Sequence, residues 1–232
     1  PFHAPPPSTG FLAAARAPVG TLRIGLLTEP IIADVPIDPE SVTAAEQTAK
    51  WLEELGHEVV PINRPFGPDL VAQFEAVWHT LALLTPVMPD DEARLQPLTR
   101  HLRDLGREVT GIQLAMAVSL LRIQTRATLA AWAGFDAVVM PTVNGVAPLV
   151  EDIVDRADPA RDFENQKRWA AFTAAFNMTG QPAISVPMHW TEEGLPIGVM
   201  LVGKMFGEET LIGLAAQLEQ AHPWSDRKPE VW

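Results

Sequence analysis

The chain has 232 residues, 47% of them hydrophobic and 20% charged, with a formal net charge of −12 at pH 7 and neither Cys nor Tyr. That length allows one large domain or two small ones with a substantial core, and the acidic balance argues against nucleic-acid backbones and anionic membranes as partners. The lack of Cys removes disulfides, thiolate metal sites and a cysteine nucleophile together, and it fits a reducing, cytoplasmic compartment.

Residues 1–20 hold five Pro and two Gly, which reads as a Pro-rich arm or linker with a short helix inside Gly10–Ala17. The chain opens Pro-Phe-His-Ala with no initiator Met and no signal-peptide core, so it reads as mature, trimmed or truncated. Thr21–Leu27 reads as a strand. Asp38-Pro39-Glu40 is a helix start, because Asp caps, Pro suits the first helical position and Glu suits the positive helix end. Val42, Ala45, Ala49, Leu52 and Leu55 carry that helix to a stop at Gly56. His57–Ile62 is a second strand, and the β-α-β order makes the two strands parallel.

Helices are expected over Asp69–Leu84, within Asp91–Leu105 and over Gly111–Ala133. Asp136–Pro141 is short, apolar and β-branched, which favours a buried strand. Residues 142–161 read as a long loop, and Asp162–Met178 as a helix. Pro182–Pro187 and Leu195–Val202 are strands joined through a Glu193-Gly194 turn. Glu208–Ala221 is the last helix. The sum is an α/β architecture with a mixed sheet flanked by helices, over residues 21–232.

Most chemical constellations are absent. There is no GxGxxG after the first strand, no P-loop, no GxSxG elbow and no paired His motif, so neither a cofactor nor a metal is expected. Asp90-Asp91-Glu92 reads as an acidic helix start. Glu151, Asp152, Asp155 and Asp158 read as a solvated acidic loop rather than a cation site. Core packing is the default for Trp51, Trp78, Trp132 and Trp169, with Trp78 or Trp169 able to wall an apolar pocket. Ser185 is flanked by Ile184 and Val186 and reads as a strand residue on one sheet face; no Gly-rich loop supplies oxyanion donors beside it. No run approaches the roughly 20 apolar residues that cross a bilayer.

One segment is more specific. Asn177-Met178-Thr179-Gly180-Gln181-Pro182-Ala183 leads into Ser185-Val186-Pro187. Gly194-Leu195-Pro196-Ile197-Gly198-Val199 and a final helix from Glu208 follow. This series resembles the C-terminal segment of the amidase-signature family. Leu22–Gly25, Leu52–Val59 and Asp136–Thr142 resemble earlier elements of the same half, so the resemblance spans nearly the whole chain but only the second half of the family's usual length.

The resemblance implies a hydrolase of linear amides with a Ser nucleophile, a bridging Ser on a cis peptide and a Lys base. Those parts belong to the family's first half and map onto no residue here, so no catalytic residue is expected in this chain and the chain alone is expected to be inactive. Ser185 and Lys204 belong to the C-terminal strands and do not inherit those roles. What this half contributes by resemblance is core sheet and substrate-pocket wall. Thr142, Val143 and Asn144, after the Met140 strand, are the chosen wall residues, with Trp78 beside them. Strand ends of α/β sheets are where sites form, which supports the same loop. The expected partners are the N-terminal half of the amidase, in the same or a separate chain, and a small-molecule amide, with a homodimer also open. The other reading is a non-catalytic binding or subunit module that kept the fold. Nothing in the sequence selects the amide.

Overall fold

The computed structural model describes residues 4–67 and 70–228, so the expected helix start at Asp69 and the first three residues of the arm lie outside the described residues. Five strands form one mixed sheet: β1 (Arg23–Leu26), β2 (Glu58–Pro61), β3 (Ala137–Pro141), β4 (Ala183–Trp190) and β5 (Pro196–Gly203), in the order β2-β1-β3-β5-β4. β1 runs parallel to β2 and β3, while β5 runs antiparallel to β3 and β4. The helices are α1 (Phe11–Ala14), α2 (Pro39–Glu54), α3 (Leu70–Leu81), α4 (Pro97–Glu108), α5 (Gly111–Ala131), α6 (Val150–Ile153), α7 (Pro159–Trp169), α8 (Ala174–Thr179) and α9 (Glu208–Ala221).

The alternation of strand side chains divides the core in two. Every residue of the central strand β3 is buried. Ala137 and Val139, with Val199 and Leu201 of β5, pack under α2 and α9 against Leu52, Leu214 and Leu218. Val138 and Met140, with Met200 and Val202, face the other way onto Phe172, Phe176 and Trp132. Each such apolar side chain taken from water stabilises the fold by about 1.5–3 kcal/mol before the ordering entropy is counted.

Local signals explain the helix starts. Asp38 accepts a hydrogen bond from the Glu40 amide at 2.9 Å, with Pro39 at the first position of α2. Asp158-Pro159 repeats the device for α7, the Asp158 carboxylate accepting from the Arg161 amide at 3.1 Å. A capping box between Thr110 and Gln113 opens α5.

Four expectations are corrected. Residues 142–161 are not all loop: α6 lies inside them and α7 begins at Pro159, because Asp158 acts as a cap. The helix expected over 162–178 is broken after Trp169. There the Ala171 carbonyl accepts from the Ile31 and Ile32 amides at 2.8 and 3.0 Å, and the Trp169 carbonyl from the Asn144 amide at 3.0 Å, so loop amides take carbonyls that a continuous helix would use. The helix expected within 91–105 is α4, which starts later, at Pro97, and runs on to Glu108, with a 3-10 turn over Pro89–Arg94 ahead of it.

The last correction concerns Glu92, which is not simply an acidic helix start. It receives Arg103 at 2.8 and 3.2 Å and Arg107 at 2.6 Å. Arg103, only 6% exposed, also donates to the Ala82 and Thr85 carbonyls, so one guanidinium ties the segment after α3 to α4. Hydrogen bonds from Arg103 and then Arg107 hold the Glu92 carboxyl down at about 2.

The arm lies on α9. Both oxygens of Glu209 accept hydrogen bonds from the amides of Ser8, Thr9 and Gly10 and the hydroxyls of Ser8 and Thr9, at 2.7 to 3.0 Å. Further along, a side chain at Gly213 would stand 2.5 Å from Val19 Cγ1, so the bare backbone there lets the arm pass.

Candidate functional site

The loop after β3 leaves the sheet at a strand end and is fixed from three sides. The Thr142 amide donates to the Gly198 carbonyl at 3.1 Å, continuing the ladder of β3 on β5. Thr142 Oγ1 and Ser185 Oγ of β4 are 2.6 Å apart. Gly198 lies beneath them: a Cβ there would stand 2.6 Å from Ser185 Oγ and 3.0 Å from Thr142 Oγ1. The two hydroxyls therefore meet over a position without a side chain.

Val143 is half-buried, and Asn144 anchors the loop to two helices. Its amide donates to the Trp169 carbonyl at the end of α7, and its own carbonyl accepts from the Asp38 amide, both at 3.0 Å. Its side-chain Oδ1 accepts from the same Asp38 amide at 3.3 Å. Asp38 caps α2, so the loop after β3 and the start of α2 are placed together. Glu40, in the first turn of α2, reaches His189 of β4, Oε2 to Nε2, at 2.6 Å. The structure thus gathers Thr142, Ser185, Asn144, Asp38, Glu40 and His189 around one end of the sheet.

Trp78 belongs to a different depression. It lies on α3, 40% exposed, with its ring 5.3 Å from that of Phe74, so the core default for this residue is corrected. Ile32, Phe74, Trp78, Phe163, Lys167 and Ala174 line a cleft of about 180 Å³. Burial pulls the Lys167 ammonium down, but the hydrogen bonds of Glu164 and Glu75 outweigh it and hold the group above its ordinary range. Burial pushes His79 down. The cleft and the loop are lined by different residues and share the end of α7: Asn144 bonds Trp169, and Ala170 lines the cleft. Of the other helix tryptophans, Trp132 is core, whereas Trp51 is half-buried and stacks on His222 at 3.9 Å.

Ser185 and Lys204 are kept apart. Ser185 faces Thr142, while Lys204 reaches Asp136 at 2.8 Å, at the start of β3 and so at the opposite end of that strand from Thr142. The acidic residues 155 and 158 are spent on backbone amides. What the assembled end of the sheet offers is hydrogen bonding from two hydroxyls and an amide side chain, beside one carboxylate–imidazole pair.

Sequence reasoning missed His189, Glu40 and the partnership of Ser185 with Thr142. Ser185 and Gly198 were visible inside the strand motif, but only the sheet register sets them against residue 142.

The Amidase family profile matches residues 2–212. The chain is 31% identical to the 6-aminohexanoate-cyclic-dimer hydrolase of Pseudomonas sp. (strain NK87), over 99% of this chain and 50% of that protein. It is 30% identical to the enzyme of the same name from Paenarthrobacter ureafaciens, with the same two coverages. The solved structure of a 6-aminohexanoate cyclic dimer hydrolase superimposes with a TM-score of 0.83 at 28% identity, over 99% of this chain and 51% of that one. A bacterial aryl acylamidase of the amidase signature family shares the fold at a TM-score of 0.74 and 19% identity, over 94% of this chain and 47% of that one. The chain belongs to the amidase family, and it spans about half the length of the relatives it matches.

Proposed function

We propose that this chain is the C-terminal part of an amidase that hydrolyses a linear carboxamide to a carboxylate and an amine or ammonia. The Ser nucleophile lies outside the chain, and this part supplies core sheet and substrate-pocket wall. The observation that carries the reading is the family match over residues 2–212 in a chain half as long as its relatives, together with the order of the Gln181–Pro187 and Gly194–Val199 motifs. The separation of Ser185 from Lys204 supports placing the nucleophile elsewhere. The wall residues are Thr142, Val143 and Asn144, held at a strand end, and Trp78 in its apolar cleft.

The test compares the chain alone with the chain joined to, or co-expressed with, the segment carrying the nucleophile. The assay uses a panel of linear amides plus the 6-aminohexanoate cyclic dimer, which the relatives' names recommend. Hydrolysis only when both parts are present is the expected result. In the active assembly, Asn144→Ala and Trp78→Ala are expected to change KM or substrate preference. Turnover by the purified chain alone that disappears with Ser185→Ala would overturn the reading.

A further inference from the structure

A pocket that shares no residue with the Trp78 cleft opens where α2, β4 and the segment after α9 meet. Its volume is about 410 Å³, and Trp51, Met188, His189, Trp190, His222 and Arg227 are among its walls. Small-molecule sites span about 300–1,000 Å³, so the size suits one. Two stacks build the walls. The rings of Trp51 and His222 lie 3.9 Å apart and 26° from parallel, and the Arg227 guanidinium carbon stands 4.0 Å from the centre of the Trp190 ring. A guanidinium resting on an aromatic face keeps its N–H fork available at the edge. Among the described residues Arg227 makes no ion pair. No described carboxylate lines the pocket, although the chain carries 29 acidic residues against 17 Lys and Arg. Glu40 touches one of the walls, but its carboxylate is held on His189 Nε2 at 2.6 Å.

We propose that this pocket binds a small aromatic carboxylate. Arg227 donates to the two carboxylate oxygens as a bidentate pair, and the flat body of the ligand lies along Trp51 and Met188. A cationic ligand would face Arg227 with no acid in the wall to balance it. Inorganic phosphate matches the same fork but brings nothing for the indole walls to hold. The carbonyl end of α9, at Ala221, opposes an anion here. A partial charge at a helix end is nevertheless weaker than a full guanidinium in direct contact. One of those carbonyls, that of Leu218, already accepts from the His222 amide at 2.8 Å. The inference is independent of the catalytic reading.

Titration of the full chain with benzoate, followed by NMR on the indole N–H signals of its seven Trp, tests it. Trp51→Phe and Trp190→Phe assign the two signals of the pocket. Benzoate is expected to shift those two saturably and more than the other indoles. Benzamide has the ring without the charge, and acetate and phosphate have the charge without the ring; each is expected to bind at least about tenfold more weakly. Arg227→Gln is expected to weaken benzoate by at least about tenfold, and Arg227→Lys to weaken it too, because an ammonium keeps the charge but loses the flat fork. The comparison of ligands on the unaltered chain decides should a variant fail to fold. Absence of a saturable shift overturns the proposal. So does equal binding of benzamide, of acetate or of phosphate, and so does benzoate binding that Arg227→Gln leaves unchanged. Loss of the benzoate response once the chain is joined to the segment carrying the nucleophile overturns it as well, since the pocket is then a seat for that segment.

Discussion

At Gly198 the absent side chain is what lets Thr142 and Ser185 meet. A Cβ 2.6 Å from Ser185 Oγ has no room, so Gly198→Ala is expected to cost about 1–3 kcal/mol by overpacking, read as a lower urea midpoint at unchanged slope. Adding Ser185→Gly in the same chain is expected to return most of that loss, which separates the steric account from a general intolerance of β5 to change. Glu92 sets a pH dependence of definite sign. Its carboxyl drops from 4.5 to about 2 in the fold, so its contribution is complete above pH 4.5 and is lost as pH falls through about 2. Thermal melts across that window are expected to show an acid-sensitive component that Glu92→Gln lacks.

Among the elements, helix starts are the most legible feature where an Asp-Pro cap stands clear of other polar residues, and the least legible where it does not. Asp38-Pro39 announces α2, whereas the same pair at Asp158-Pro159 is masked by the acidic stretch around it, which reads as solvated loop. Asp158→Ala is expected to destabilise the fold by about 1 kcal/mol in urea melts, the usual loss for a helix cap. The break after Trp169 was not legible, because apolar and helix-favouring residues continue through it. It is imposed by amides of residues 31, 32 and 144, which lie far away in sequence. The site follows the same rule. Thr142–Asn144 could be chosen as a strand-end loop, but their contacts with Ser185, Asp38 and Trp169 depend on sheet register and helix placement. Trp78 was legible as a pocket wall and illegible as an exposed residue, since helical periodicity treats every large apolar side chain as core.

For the molecule as a whole, the strand order could be half-read: β1 parallel to β2 from the β-α-β order, β4 antiparallel to β5 from the turn. The central place of β3 was only hinted at by its unbroken apolar run. Its neighbours are set by two-layer packing rather than by any local signal. The arm shows the limit more sharply, since its composition suggests a passive connector while one distant carboxylate holds it. Glu209→Gln is expected to leave the sheet intact and to open residues 8–20 to limited proteolysis, because a neutral amide cannot accept from all five donors at once.

That latch has a mechanical consequence. Because all five donors converge on one side chain, residues 8–10 are held by one polar fastener and not by several that fail in turn. A pull on residue 4 reaches that carboxylate first, in the first turn of α9, before it loads the packing of α1 on the same helix. Residues 8–10 then come away in one event, and the contact of α1 with α9 bears tension only after that.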